Sequence, residues 1–373
     1  MAPAPTAAAA AYGVLSCEQI RELAAAGAIR ATRPIEDGQH QPASLDLRLG
    51  PKAYRVRASF LPGKRRSVEA LLAELTYDEI DLDGVGSVLE RGCVYVIPLL
   101  ESLDLPPDIS GVANPKSSTG RLDIFTRLIT DDTEIFDHVA AGYRGRLYAE
   151  VSPRSFSVRA RQGSRLDQLR LRRRDLKAEL TLSDAALTAE HGRAPLADGE
   201  LTLRDGLILR VALDGLGDVV GFRAQKHTDV IDVDRVDHYA VEDYWERLTP
   251  RRGRKLILDP NEFYILASRE RIRIPSHLSA EMMAIDPAMG EFRVHYAGFF
   301  DPGFGYGEAG RPGSRAVLEV RSHDVPFILE DGQVIGRLVY EPMAAEPTIL
   351  YGQSGVSNYQ GQELKLSKHF KAP

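Results

Sequence analysis

The chain has 373 residues, a length that favours two domains over one. Its 43% apolar and 27% charged content is that of a soluble globular protein, and its formal net charge of −6 argues against a general nucleic-acid binder, which would be basic. Two cysteines, Cys17 and Cys93, exclude a disulfide framework and suggest a reducing cytoplasm; no apolar run approaches the ~20 residues of a membrane span.

The first 12 residues are rich in Ala and Pro without a basic start, and they read as a disordered tail rather than a signal peptide. A short helix follows. Ser16 is its N-cap, Gln19 completes a capping box and Gly27 stops it. Beyond it come short apolar runs broken by Gly, Pro and Asp, the pattern of a mainly β protein built as a barrel or sandwich with few short helices. The basic run of Arg170, Arg172, Arg173 and Arg174 reads as a solvated linker or helix face.

The chain also repeats itself. The stretch from Leu89 (LERGCVYVIPLLESLDLPPDISG) resembles the one from Leu258 (LDPNEFYILASRERIRIPSHLSA). Tyr95 pairs with Tyr264, Glu101 with Glu270 and Pro106 with Pro275, at a constant offset of 169 residues (264 − 95). The offset returns at Glu150 and Glu319 and at Gly163 and Gly332, and the helix start at Leu15-Ser16 has a counterpart at Leu182-Ser183. Two copies are too few for a solenoid. The expectation is two tandem β-rich domains, 13–175 and 182–373, joined near 172–182.

Several chemistries lack their residues. No His is followed two positions later by Glu and no Cys-x-x-Cys occurs, which excludes a zinc deaminase site; there is no Walker-type phosphate loop. Three segments can carry chemistry instead. Lys116-Ser117-Ser118-Thr119-Gly120-Arg121 gathers two cations and three hydroxyls around a tight turn, which suits either phosphate oxygens or an ordinary polar loop. Asp301-Pro302-Gly303-Phe304 is a turn entering a strand. Val317-Leu318-Glu319 puts a carboxylate in an apolar strand, where it either has a raised pKa suited to proton transfer or points to water from an edge. The polar, Gly-rich segment from Tyr351 to Phe370, with Tyr359 and Gln362, either closes over a ligand or frays.

Together these motifs resemble the dCTP deaminase and dUTPase superfamily. In that family a Gly-Arg-Ser-Ser-Leu-Ala-Arg-like loop grips the triphosphate, an Asp-Pro-Gly-aromatic turn leads into the catalytic strand, and the tail folds over the nucleotide. Here Lys116 stands for the first Arg of the loop, and Ala43-Ser44-Leu45-Asp46-Leu47-Arg48-Leu49-Gly50 resembles the family's first strand. The family's tail Lys falls near Asn358, a departure that Lys365 or Lys368 can make good. The resemblance implies two dUTPase-like domains and dCTP as substrate. It implies Glu319, Ser117 and Arg121 as catalytic residues, and Lys116, Ser118, Thr119, Gly120, Asp301, Val317, Leu318, Tyr351 and Gln362 as substrate-binding residues. It also implies Mg²⁺ carried on the triphosphate, no zinc, a cytoplasmic homo-oligomer, and a water oriented by Ser117 and a backbone carbonyl near Ala297.

Neither half is complete. The first has the loop but reads Ala140-Ala141-Gly142-Tyr143 where the turn belongs; the second has the turn but Asp286-Pro287 where Ser117-Ser118 would be. The family builds its site from two subunits, so one composite site per pair of halves is expected, within a chain or between chains. Glu150 then reads as a relic or structural carboxylate. The remaining rivals are a bifunctional enzyme that takes dCTP on to dUMP, a nucleotide-binding regulator without catalysis, and a purely structural β protein.

Overall fold

The capping box on Ser16 and Gln19 forms as expected and starts the helix Cys17–Ala25. Its counterpart, Ser183, caps the helix Asp184–Arg193 by accepting from the N–H of Ala186, which has no side chain to complete a box. The rest is dominated by short strands, with 42% strand against 12% helix. The structure is a computed structural model that describes residues 12–174, 180–250, 254–284, 292–295, 298–307, 313–322, 324–353 and 357–372, with 284 and 292–295 described in backbone only. The Ala/Pro-rich start, Asp286-Pro287 and Ala297 lie outside the described residues.

In the first half two six-stranded sheets face a shared core. One holds Ser44–Leu47, Ile109–Pro115 and Asp167–Arg173; the other holds Val94–Asp104, Arg144–Pro153 and Ile124–Thr130. The second half repeats the plan. A four-stranded sheet with Leu278–Ala284 and Val334–Pro342 packs against a five-stranded sheet with Phe263–Ile272 and Ser314–Ser322.

The sequence repeat is a repeat of hydrogen bonds. Tyr95 pairs with Val151 and Val96 with Glu150; Tyr264 pairs with Val320 and Ile265 with Glu319, in the same register. The Tyr95 hydroxyl accepts from the N–H of Glu90 and that of Tyr264 from the N–H of Asp259. Glu101 accepts from the backbone N–H and the guanidinium of Arg48, and Glu270 does the same for Arg210. A buried carboxylate is costly unless so paired, and the arginines offset that cost for both glutamates inside apolar strands.

Two features depart from the sequence reading. The first is the basic run, whose Arg170 and Arg172 lie in a strand and face the other half rather than solvent, while Arg174 beyond the strand is exposed. Arg170 is completely buried, donating to the carbonyls of Ala280 and Phe300 and to Asp301, with its guanidinium 4.0 Å from the Phe299 ring centroid. Arg172 pairs with Glu281 and Glu341. These arginines join the halves, because the second half offers the carboxylates and carbonyls that compensate their desolvation.

The second departure is that the first core is not built by the first half alone. Phe222, Tyr244 and Trp245 from the second half belong to it, and Ile231–Asp232 runs parallel to Val158–Ala160. Phe370 inserts beside Trp245, Tyr239 and Tyr244, with ring centroids 5.5–6.3 Å apart. The end of the tail is therefore anchored in a core rather than frayed.

Candidate active site

Alternation along Ser314–Ser322 sets the site. Ala316, Leu318 and Val320 face the second core, while Val317 reaches the first core. Glu319 shares the face of Val317 and so is turned toward the other half. It meets the short helix Ser117–Gly120, whose N-terminus follows the strand Ile109–Pro115. The approach is so close that a Cβ placed on Gly120 would stand 3.0 Å from Cδ and Oε2 of Glu319 and 3.1 Å from Oε1. The loop and the carboxylate thus come together within one chain.

A cavity of about 390 Å³ opens at this junction. Its loop side is Lys116, Ser117, Ser118, Thr119 and Arg121; its strand side is Asp301, Val317 and Glu319; the tail adds Tyr351, Tyr359 and Gln362. Of the residues expected from sequence, Leu318 is the exception, since its side chain lies in the second core and lines no part of the cavity. Gly120 takes part through its contact with Glu319 rather than as cavity lining.

Arg121 is buried and held from three sides. It donates to the Lys365 carbonyl and to Oε1 of Gln362, both at 3.0 Å, and its guanidinium lies 3.9 Å from the Tyr359 ring centroid. Gln362 in turn donates to the Arg315 carbonyl at 2.9 Å. The Ser367 hydroxyl donates to the Ser118 carbonyl at 2.8 Å, so the tail is tied to the loop as well as to the cores. Of the two lysines that could replace the family's tail Lys, Lys368 lines the cavity and Lys365 does not; Lys365 donates to the Asn358 carbonyl.

Burial pushes the Glu319 carboxyl well above the usual carboxylate range; Arg121 opposes this and Asp123 adds to it. Burial also raises Asp301, against the pull of Arg170. Lys116 is paired with Asp46. The turn Asp301-Pro302-Gly303-Phe304 is closed by the Phe304 N–H donating to the Asp301 carbonyl at 3.1 Å, and the Tyr351 N–H donates to the Pro302 carbonyl at 2.8 Å. In the first half the Ala140–Tyr143 turn has the same closure, Tyr143 N–H to the Ala140 carbonyl, but no carboxylate.

A buried carboxyl with raised proton affinity, a confined guanidinium and a hydroxyl-rich loop around one cavity suit hydrolysis of a phosphorylated, polar ligand. Comparison with known proteins decides which. A model described as the 2′-deoxycytidine 5′-triphosphate deaminase N-terminal domain matches residues 11–175, and one described as its C-terminal domain matches 183–370. The chain belongs to the dCTP deaminase family.

Members of this family are hydrolases. The crystal structure of 2′-deoxycytidine 5′-triphosphate deaminase from Agrobacterium tumefaciens is similar to this chain at 51% identity and a TM-score of 0.85, covering 89% of this chain and 99% of that one. Curated relatives named "dCTP deaminase, dUMP-forming" are more distant. The one from Mycolicibacterium vanbaalenii is 28% identical over 193 residues, 51% of this chain and 89% of that protein. The one from Methanobrevibacter smithii is 28% identical over 137 residues, 36% of this chain and 66% of that protein.

Several lining residues escaped the sequence reading of the site, among them Asp46, Arg165, Gln168 and Asp234. Asp46 stood within the recognised first strand, so its signal was present. Arg165 and Asp234 carry no local pattern and are brought in only by tertiary packing. Glu150, at the position of Glu319 in its own half, is paired with Arg127 at 2.5 Å, and Arg127 stacks 3.5 Å from the Phe136 ring centroid. Glu150 is thus an ion-paired carboxylate, whereas Glu319 faces the cavity.

Proposed function

We propose that this chain hydrolyses dCTP to dUTP and ammonia with Glu319 as general acid and base. The observation that carries the reading is the contact between the Glu319 carboxyl and Gly120, which joins the two incomplete halves into one site. In the first step water adds its oxygen to C4 of the cytosine while Glu319 takes a proton from it. Glu319 passes that proton to the ring nitrogen; it then takes the proton of the new C4 hydroxyl and delivers it to the amine, and as C4=O forms the C4–N bond to the amine breaks to release ammonia. General acid–base transfer of this kind contributes about 10²–10⁴ in rate. Arg121 offsets charge as the tetrahedral centre forms, and Ser117 orients the water. Lys116, Ser118 and the amides of the loop hold the phosphates, with Asp301 and Gln362 on the sugar and base side. Tyr351 closes the cavity against Phe304, the ring centroids 5.5 Å apart.

A Mg²⁺ carried by the triphosphate needs one or two carboxylates besides phosphate oxygens. Among the described residues no group of three or more His, Cys, Asp or Glu gathers to hold a metal by itself. Asp46 lines the cavity and its Oδ1 is buried without a hydrogen-bond partner, so it is the residue that fits such an ion; bound, the ion would neutralise phosphate charge. One chain supplies both sides of the site, so the reaction needs no second copy, and a homo-oligomer rests on the family resemblance alone. A cytoplasmic location agrees with the two cysteines, both free thiols. Among the described residues no helix is long and apolar enough to cross a membrane.

The second reading, a bifunctional enzyme giving dUMP and pyrophosphate, draws on the names of the curated relatives. Incubation with dCTP and Mg²⁺ separates the two by product. In the same assay Glu319→Gln is expected to abolish ammonia release while sparing nucleotide binding; ammonia release at a near-normal rate refutes the assignment.

A further inference from the structure

The loop and the catalytic strand touch at Gly120 and Glu319, yet a contact between a glycine and a carboxyl group has little holding power. Something must fix the distance. Two residues beyond Arg121 the chain makes a turn at Asp123, whose φ of 55° is uncommon for a residue other than glycine. The turn is closed by the Asp123 N–H donating to the Gly120 carbonyl at 2.8 Å, and the Asp123 carbonyl accepts from the N–H of Arg154 at 2.9 Å. Its carboxylate is 1% exposed and points across the junction.

Two residues beyond Glu319, on the same face of the strand, stands Arg321. Its side chain is 13% exposed and its Nη2 pairs with Oδ2 of Asp123. The Ser155 hydroxyl donates to the same Oδ2 at 2.6 Å and accepts from Nη2 of Arg321 at 3.3 Å. Nη1 of Arg321 donates to the Asn261 carbonyl. The pair is therefore buried, charge-assisted and braced from both halves, the geometry in which an ion pair gives register rather than mere attraction.

The repeat supplies an internal control. At the offset of 169 residues Arg321 corresponds to Ser152, whose hydroxyl is buried without a partner. Two residues beyond Glu150 stands a serine, which cannot make the ion pair; two residues beyond Glu319 stands the arginine that does.

We propose that Asp123 and Arg321 clamp the two halves so that Gly120 and Arg121 are held against Glu319, which makes both of them positioning residues. The proposal rests on the deaminase reading for its kinetic consequences. It also bears on the proton affinity of Glu319. Arg121 and Asp123 face that carboxyl from the loop, Tyr359 from the tail, and His295 stands opposite it in register on the neighbouring strand. The charge of Asp123 raises the affinity of Glu319 for its proton, so neutralising it moves the titration to lower pH.

The test is Asp123→Asn, which keeps the shape and an acceptor oxygen but not the charge. Expected are a kcat lower by about tenfold, a KM within about twofold of wild type, and an acid limb of the pH–rate profile shifted to lower pH. The infrared band of the protonated Glu319 carboxyl, identified by its loss in Glu319→Gln, should titrate at lower pH in the same variant. Arg321→Lys, which keeps the charge but loses the fork, should lower kcat with little movement of the limb. A folded Asp123→Asn with wild-type kcat and unmoved titration overturns the clamp, and so does wild-type kcat in Arg321→Lys. If the wild-type chain releases no ammonia from dCTP, the deaminase reading fails and the infrared titration alone decides the clamp.

Discussion

Gly120→Ala isolates the geometry of the site from its chemistry. The backbone at Gly120 is not in the left-handed region, so alanine fits it without strain, and in a helical segment alanine is favoured over glycine by roughly 0.5–1 kcal/mol. The added methyl, however, would lie 3.0 Å from Cδ and Oε2 of Glu319, where ordinary contact begins at 3.4 Å. The carboxyl must withdraw by a few tenths of an ångström. The strand cannot retreat with it, since Glu319 is paired with Ile265 on one side and His295 on the other. The side chain itself therefore rotates, away from Arg121. A misplacement of about 1 Å can cost about 100-fold in rate, so a shift of this size is expected to lower kcat by about tenfold, equivalent to about 1.4 kcal/mol in the barrier. Steady-state ammonia release from dCTP measures it, alongside thermal unfolding to show that the fold is retained. If Gly120→Ala turns over dCTP at the wild-type rate with an unchanged pH profile, the Gly120–Glu319 contact is not part of the working site.

Two further outcomes concern stability. Replacing Arg170 by Ala leaves Asp301 buried without its cation and takes a donor from two carbonyls, and is expected to cost about 3–5 kcal/mol in denaturant unfolding; a loss below about 1 kcal/mol contradicts the bridging role. His369 is buried, with Nε2–H donating to the Val233 carbonyl at 2.8 Å, and burial lowers its pKa to about 4. Between about pH 4 and 6.5 the unfolded chain therefore binds the extra proton and the folded chain does not. The contribution is present above pH 6.5 and is lost as pH falls, up to about 3 kcal/mol near pH 4. His369→Gln should flatten the stability profile across that window, and an unchanged slope refutes the assignment.

Much of the site was legible because the repeat preserves backbone hydrogen bonding. Tyr95 and Tyr264, or Glu101 and Glu270, hold the same bonds in each half, so a constant offset in sequence is a constant register in space. Strand alternation likewise predicts that Glu319 shares a face with Val317, and it should have warned that Leu318 does not. Arg170 was misread for a physical reason. A run of arginines is solvated unless something distant compensates it, and its partners lie 110 to 131 residues further along the chain. The anchoring of Phe370 was hidden in the same way, since its partners Trp245 and Tyr239 lie far back along the chain and only tertiary packing brings them to it.

On the proposed reading, because Gly120 and Glu319 sit on one polypeptide, the two kinds of damage cannot rescue each other. In an enzyme that assembles its site between identical subunits, a chain defective in the loop and a chain defective in the glutamate can combine to restore one sound site. Here each chain keeps its own defect, so inheritance of the site is all or none, gene copy by gene copy.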